Sequence, residues 1–193
     1  MSQRQETVSN EILASRIPYI NAIKSIVPND PLEAADIQDA LKWLQSAPQI
    51  TKPLDMQRHL GVIFLVLSPD RELTFMLNHK KAQTWLPPGG HVDTGLSFQD
   101  AVKLEMREEL QKEAIFIYSD PFFLTNTATR GLNAGHIDTT AWFLVEGDPS
   151  HQYPIMEKEA SEARWMELSL LKNMPNYTHL PRAVAKLPRY LSK

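Results

Sequence analysis

Three glutamates, Glu105, Glu108 and Glu109, stand at spacings i, i+3 and i+4. On a helix, residues three and four apart are neighbours, so the three carboxylates would share one patch. At roughly 100° per residue, Phe98, Ala101 and Val102 fall on one apolar face, with Asp100, Lys103, Arg107 and Gln111 opposite. The glutamates do not join the polar side; they flank the apolar stripe. Crowded carboxylates repel, more so when partly buried, and either protons or a cation must offset the charge. Hard divalent cations such as Mg²⁺ take carboxylate oxygens and bridge to substrate phosphates. The chemistry on offer is a metal seat for a phosphorylated ligand, set against the plainer reading of a solvated acidic face. Just upstream, Gly89-Gly90 give a backbone without side chains, whose amides and carbonyls can approach a metal or a phosphate.

These residues need a strand, a tight loop and a helix to bring them together. Ser97 followed by Asp100 reads as a capping box starting a helix from Phe98 to about Lys112. Trp85-Leu86-Pro87-Pro88-Gly89-Gly90-His91-Val92 reads as a Pro/Gly loop entering a short strand. Before it, Leu60 to Leu67 is a continuous apolar run suited to a strand buried on both faces. Ser68-Pro69-Asp70-Arg71 is a turn, and Leu73 to Leu77 a hairpin partner. Downstream, Ile115 to Leu124, Ile137 to Val145 and Arg164 to Leu168 read as strands, Ser169 to Lys172 as a turn of helix, and Pro181 to Leu191 as a terminal helix. Residues 1–57 read as a helical extension. Its clearest helix begins at Asn29-Asp30-Pro31-Leu32-Glu33, with Asp30 as cap and Pro31 in the first turn, and runs to about Ser46. An earlier helix from Ile12 to Ile26 should kink or split at Pro18. Residues 58–193 carry the strands. Strands around one central helix, with helices before and after, imply an α/β fold: a mixed sheet sandwiched by helices.

The 193 residues suit one domain with an appendage. The net charge of −3 draws in neither nucleic acid nor an anionic membrane, so no specific nucleic-acid partner is expected. With no cysteine, disulfides, thiolate metal sites and cysteine nucleophiles are excluded. Met1 to Val8 is polar and lacks the apolar stretch of a signal peptide, and Leu60 to Leu67 is too short to span a bilayer. A cytoplasmic location is the expectation.

From Gly90 to Lys112 the stretch resembles the Nudix box: a glycine, five residues, a glutamate, seven residues, then Arg-Glu-apolar-any-Glu-Glu-any-Gly-apolar. Gly90 supplies the first glycine, and Glu105, Met106, Glu108 and Glu109 match the heart of the pattern. Trp85 to Val92 looks like the usual lead-in, and Asp93-Thr94-Gly95 like the loop; the likeness covers about residues 58–170. Four positions depart. Leu96 replaces the first glutamate, Leu104 the arginine, Gln111 the late glycine, and Lys112 the apolar residue after it. In the family the first two belong to an ionic network supporting the site. Replacing both leaves no stranded charge, and Leu96 could pack on Leu104.

The resemblance implies a Nudix-type α/β/α sandwich that splits a diphosphate linkage in a nucleotide-like small molecule. It implies Mg²⁺ or Mn²⁺ on Glu105, Glu108, Glu109 and the Gly90 carbonyl, with Glu105 and Glu109 as the catalytic pair. The base that activates water is Glu105 or a later carboxylate, Glu157, Glu159 or Glu162. Arg130, Lys80, Lys81, Trp85, His136 and Asp138 could face substrate, each against a structural role; His91 reads as structural because the implied site is oxygen-rich. The alternative is a non-catalytic Nudix-fold module that binds a nucleotide or metabolite, which Leu96 and Leu104 favour. An isoprenoid diphosphate isomerase of the same fold needs a cysteine that is absent. The helical N-terminus, with Trp43 and Leu44, could pair two copies as a homodimer.

Overall fold

Two helices open the chain, α1 (Gln3–Lys24) and α2 (Pro31–Ser46), in a computed structural model that describes residues 3–51, 57–129, 135–156, 158–174 and 177–191. The start of α2 follows from its residue types. Asp30 Oδ1 accepts the Glu33 N–H at 2.9 Å, Pro31 takes the first turn, and Glu33 reaches back to the Asn29 N–H at 2.7 Å. The split that was one of two outcomes expected at Pro18 does not occur, and α1 runs through it. The side chains on either side explain why. The buried Arg16 guanidinium donates to the carbonyls of Leu44 at 2.7 Å and Pro48 at 3.3 Å, while the Tyr19 hydroxyl donates to the Leu96 carbonyl. These tertiary anchors outweigh the cost of an interior proline, about 3 kcal/mol.

Seven strands follow: β1 (Arg58–Leu67), β2 (Leu73–His79), β3 (Thr84–Leu86), β4 (Gly89–His91), β5 (Phe116–Ala128), β6 (Ile137–Glu146) and β7 (Ala160–Glu167). Helix α3 (Phe98–Leu110) lies between β4 and β5, and α4 (Leu168–Leu171), α5 (Leu180–Lys186) and α6 (Pro188–Leu191) close the chain. The single terminal helix expected over Pro181 to Leu191 is thus divided in two, with Pro188 opening the second piece. The strands form one sheet, ordered β3-β2-β1-β6-β5, with β4 added on β1 and β7 on β2. β1 and β6 run parallel along their whole length, from Arg58 opposite Ile137 to Leu67 opposite Glu146, and the other pairings are antiparallel. The sheet is therefore mixed, as expected.

Alternation along β1 assigns its two faces. Leu60, Val62, Phe64 and Val66 join a large core with Ile23, Ala40 and Leu44 of the N-terminal helices and with Phe98, Ala101, Val102, Met106 and Leu110 of α3. Leu65 and Leu67 join a second core with Leu171, Leu180, Ala183, Val184 and Leu187 of the late helices. The result is an α/β/α sandwich in which the N-terminal helices share the core of the sheet. Among the described residues, no helix is long and apolar enough to cross a membrane.

Helix α3 ends at Gln111, whose φ of 52° and ψ of 39° place it in the left-handed region. That explains the glycine of the Nudix pattern at this position, since a side chain there costs about 1–2 kcal/mol. Gln111→Gly is expected to stabilise the protein by about 1 kcal/mol, raising Tm by about 3 °C. Thermal melts of the two proteins check this, and an unchanged or lower Tm would show that the residue is relaxed as it stands.

Candidate functional site

Helix α3 is positioned from its first residue. Ser97 Oγ accepts the Asp100 N–H at 3.1 Å, and the side chains of Phe98, Ala101, Val102 and Met106 are buried against the sheet. That orientation decides where the glutamates go. Glu109 points inward and is 5 % exposed, Glu105 is half-buried, and Glu108 is exposed. Glu109 Oε2 accepts the Gly89 N–H at 3.0 Å. A side chain on Gly89 would run into the Val62 carbonyl, and one on Gly90 would overlap the Glu105 carboxylate. The glycine pair is thus a cradle: its missing side chains are what let Glu105 and Glu109 meet the backbone of β4.

The Glu109 carboxyl is pushed up to about 8, first by its burial and then by Glu105, with the Gly89 hydrogen bond working against the rise and Glu159 and Glu108 adding to it. Of the later carboxylates, Glu159 is half-buried and near enough for its charge to act on Glu109, whereas Glu162 is exposed. Glu157 and Arg130 lie outside the described residues. A cleft of about 920 Å³ opens beside this region, and Lys80, Leu110, Lys112, His151, Tyr153 and Ala160 line part of it.

The loop between β4 and α3 is held from the N-terminal segment. Besides Tyr19 on the Leu96 carbonyl, Thr51 Oγ1 and Thr94 Oγ1 share a hydrogen bond of 3.0 Å, and the Tyr19 and Phe98 rings meet edge to face at 5.1 Å. Leu96 packs at the rim of the large core and Leu104 is half-buried. Leu96 is thus held by a hydrogen bond to its carbonyl and by apolar packing of its side chain. Trp85 is occupied within the fold: the Arg164 guanidinium lies 4.2 Å from its ring centre, and its backbone N–H donates to the Tyr177 hydroxyl at 2.9 Å.

A second cluster was not anticipated as a unit. His91 and the pair His136 and Asp138 come together with His59, a residue given no role from sequence, and their ligand atoms all lie within 4.8 Å of one another. The register of β1 against β6 sets His59 opposite Asp138. Only strand pairing shows this, because the two residues are far apart in the chain. Burial alone would raise the Asp138 carboxyl, yet His59 and His91 hold it well below the usual carboxylate range, so it stands as an anion.

Comparison with known proteins follows the same geometry. Residues 57–187 match the model of the NUDIX domain. No curated protein matches the chain in sequence. Among solved structures, a NUDIX-family hydrolase from Clostridium perfringens is 19 % identical with a TM-score of 0.53, covering 69 % of this chain and 99 % of its own. The C. elegans Ap4A hydrolase is 15 % identical with a TM-score of 0.56, covering 74 % of this chain and 99 % of its own. The E. coli dihydroneopterin triphosphate pyrophosphohydrolase is 13 % identical with a TM-score of 0.54, covering 75 % of this chain and 100 % of its own. At these identities the likeness is one of fold, and the domain match extends over two thirds of the sequence. The chain belongs to the Nudix family.

Proposed function

We propose that this Nudix pyrophosphohydrolase cleaves a diphosphate linkage in a nucleoside diphosphate derivative or nucleotide, with Mg²⁺ or Mn²⁺ held by Glu105, Glu108, Glu109 and the Gly90 carbonyl. The observation that carries the reading is the buried Glu109 carboxyl, fixed on the Gly89 amide with Glu105 laid over Gly90. These donors are all oxygens, which suits a hard divalent ion. Among the described residues no cation is paired with Glu108 or Glu109; without one, burial beside Glu105 holds a proton on Glu109, and a divalent ion could take that proton's place. When bound, the ion would neutralise phosphate charge and lower the pKa of water.

The protein's own groups then divide the work. Glu109 anchors the helix to the glycine turn. Glu105, half-buried against Gly90, is the first candidate to take a proton from water; Glu159, whose charge reaches Glu109, is the second. The cleft bordered by Lys80 and Lys112 offers cations for an anionic substrate.

The direct test is a screen of ADP-ribose, nucleoside triphosphates, dinucleoside polyphosphates and nucleotide sugars with Mg²⁺ and Mn²⁺, with Glu105→Gln and Glu159→Gln run beside the wild type. Turnover of one class is expected. The variant that lacks the base should lose about 10²–10⁴-fold in kcat with its fold retained. Tight binding of a nucleotide with no turnover under any condition would replace the enzyme with the regulator reading.

A further inference from the structure

We infer that His59, His91, His136 and Asp138 form a second metal site, distinct from the glutamates, that takes a borderline transition-metal ion of the Zn²⁺ class. His59 is 4 % exposed, and neither of its ring nitrogens has a hydrogen-bond partner among the described residues. A buried imidazole that meets one carboxylate through Nε2 and nothing through Nδ1 is left partly unsatisfied unless a further group completes it. Its Nε2 lies in close polar contact with Asp138 Oδ1, at 2.7 Å. The other two imidazoles converge on the same oxygen, with His91 Nε2 at 3.5 Å and His136 Nε2 at 3.7 Å. Ligands around a tetrahedral zinc, with bonds near 2.0–2.1 Å, sit about 3.3 Å apart. The three separations from Asp138 Oδ1 scatter about that value, and all four ligand atoms lie within 4.8 Å of one another.

Three imidazole nitrogens and one carboxylate select Zn²⁺ or a similar ion over Mg²⁺, which prefers oxygen alone. Four protein ligands close a tetrahedron, the mark of a structural rather than a hydrolytic zinc. The ligands come from three strands: His59 from β1, His91 from β4, and Asp138 from β6, with His136 just before it. Alternation along β4 sets His91 on the opposite face of the sheet from its neighbour Gly90, the residue that receives Glu105. An ion here would brace the strand that carries the glycine cradle, from behind.

The test uses the full chain, stripped with a chelator and titrated with Zn²⁺ against a chromophoric competitor. Co²⁺ serves as a second probe, because its visible absorption reports tetrahedral coordination. One equivalent of Zn²⁺ is expected, and His136→Ala and Asp138→Asn, checked for fold by circular dichroism, should each weaken it at least about a hundredfold. Glu109→Gln should leave this binding intact, which separates the site from the glutamates. Failure to take up either ion overturns the site. So does uptake unchanged in both cluster variants, or uptake lost in Glu109→Gln but kept in His136→Ala.

Discussion

Glu109→Gln is expected to cut kcat/KM by about a thousandfold or more while making the metal-free protein more stable in alkali. The loss follows if Glu109 helps hold a catalytic ion, whose stabilisation of phosphate charge is worth several kcal/mol. The gain follows from burial. In the fold the Glu109 carboxyl titrates near 8, against an ordinary value of 4.5. A raised acid favours folding only while protonated, so its contribution is complete below the unfolded value and is lost as pH climbs through the folded one. Between pH 4.5 and 8 the metal-free wild type should therefore surrender stability, up to about 5 kcal/mol as an upper bound. Glutamine stays neutral and its carbonyl can keep the Gly89 hydrogen bond, so the variant is spared. Thermal melts with chelator at about pH 5 and pH 9 should show similar Tm values at the first and a higher Tm for the variant at the second. Added Mg²⁺ should then raise the wild type alone. A variant that melts below the wild type at alkaline pH, or that retains full turnover, removes Glu109 from the role given to it.

The second large effect concerns the ion pair between Lys186 of α5 and Glu33 of α2, both fully buried and 2.5 Å apart. Glu33 also accepts the Asn29 N–H, and the Lys186 ammonium stands 5.5 Å from the centre of the Phe123 ring. Removing one member of such a pair strands the other in a dry interior, at about 3–5 kcal/mol. Lys186→Met should accordingly lower Tm by about 10 °C. Replacing both partners leaves no bare charge, so the double variant Lys186→Met with Glu33→Gln should recover at least half of the loss. Urea melts of the single and double variants decide it. A single variant as stable as the wild type would mean that the pair contributes nothing net.

The elements that carry periodic signals were the ones legible in the sequence. The capping residues Asp30 and Ser97 start their helices where expected, and the apolar run of β1 is buried on both faces. The glutamate spacing was equally readable, but it could not say that Glu109 turns inward while Glu108 stays in solvent; packing of Phe98 and Met106 makes that choice. Pro18 did not split its helix because Arg16 and Tyr19 anchor the segment to partners distant in sequence. The His59 cluster escaped for a related reason. Its members lie on strands joined only by register, and no spacing along the chain announces a parallel pairing.

Tyr19 and Thr51 both reach the loop that leads into α3. Order in the loop ahead of α3 is therefore not a local property. It belongs to the same cooperative unit as the N-terminal helices, and an excursion that peels α1 from the sheet must also free the backbone at Leu96. Motion of Tyr19 or Thr51 would register as a loosening of the loop at Thr94 and Leu96. The loop ahead of α3 thus owes part of its order to contacts supplied from outside the residues that match the family.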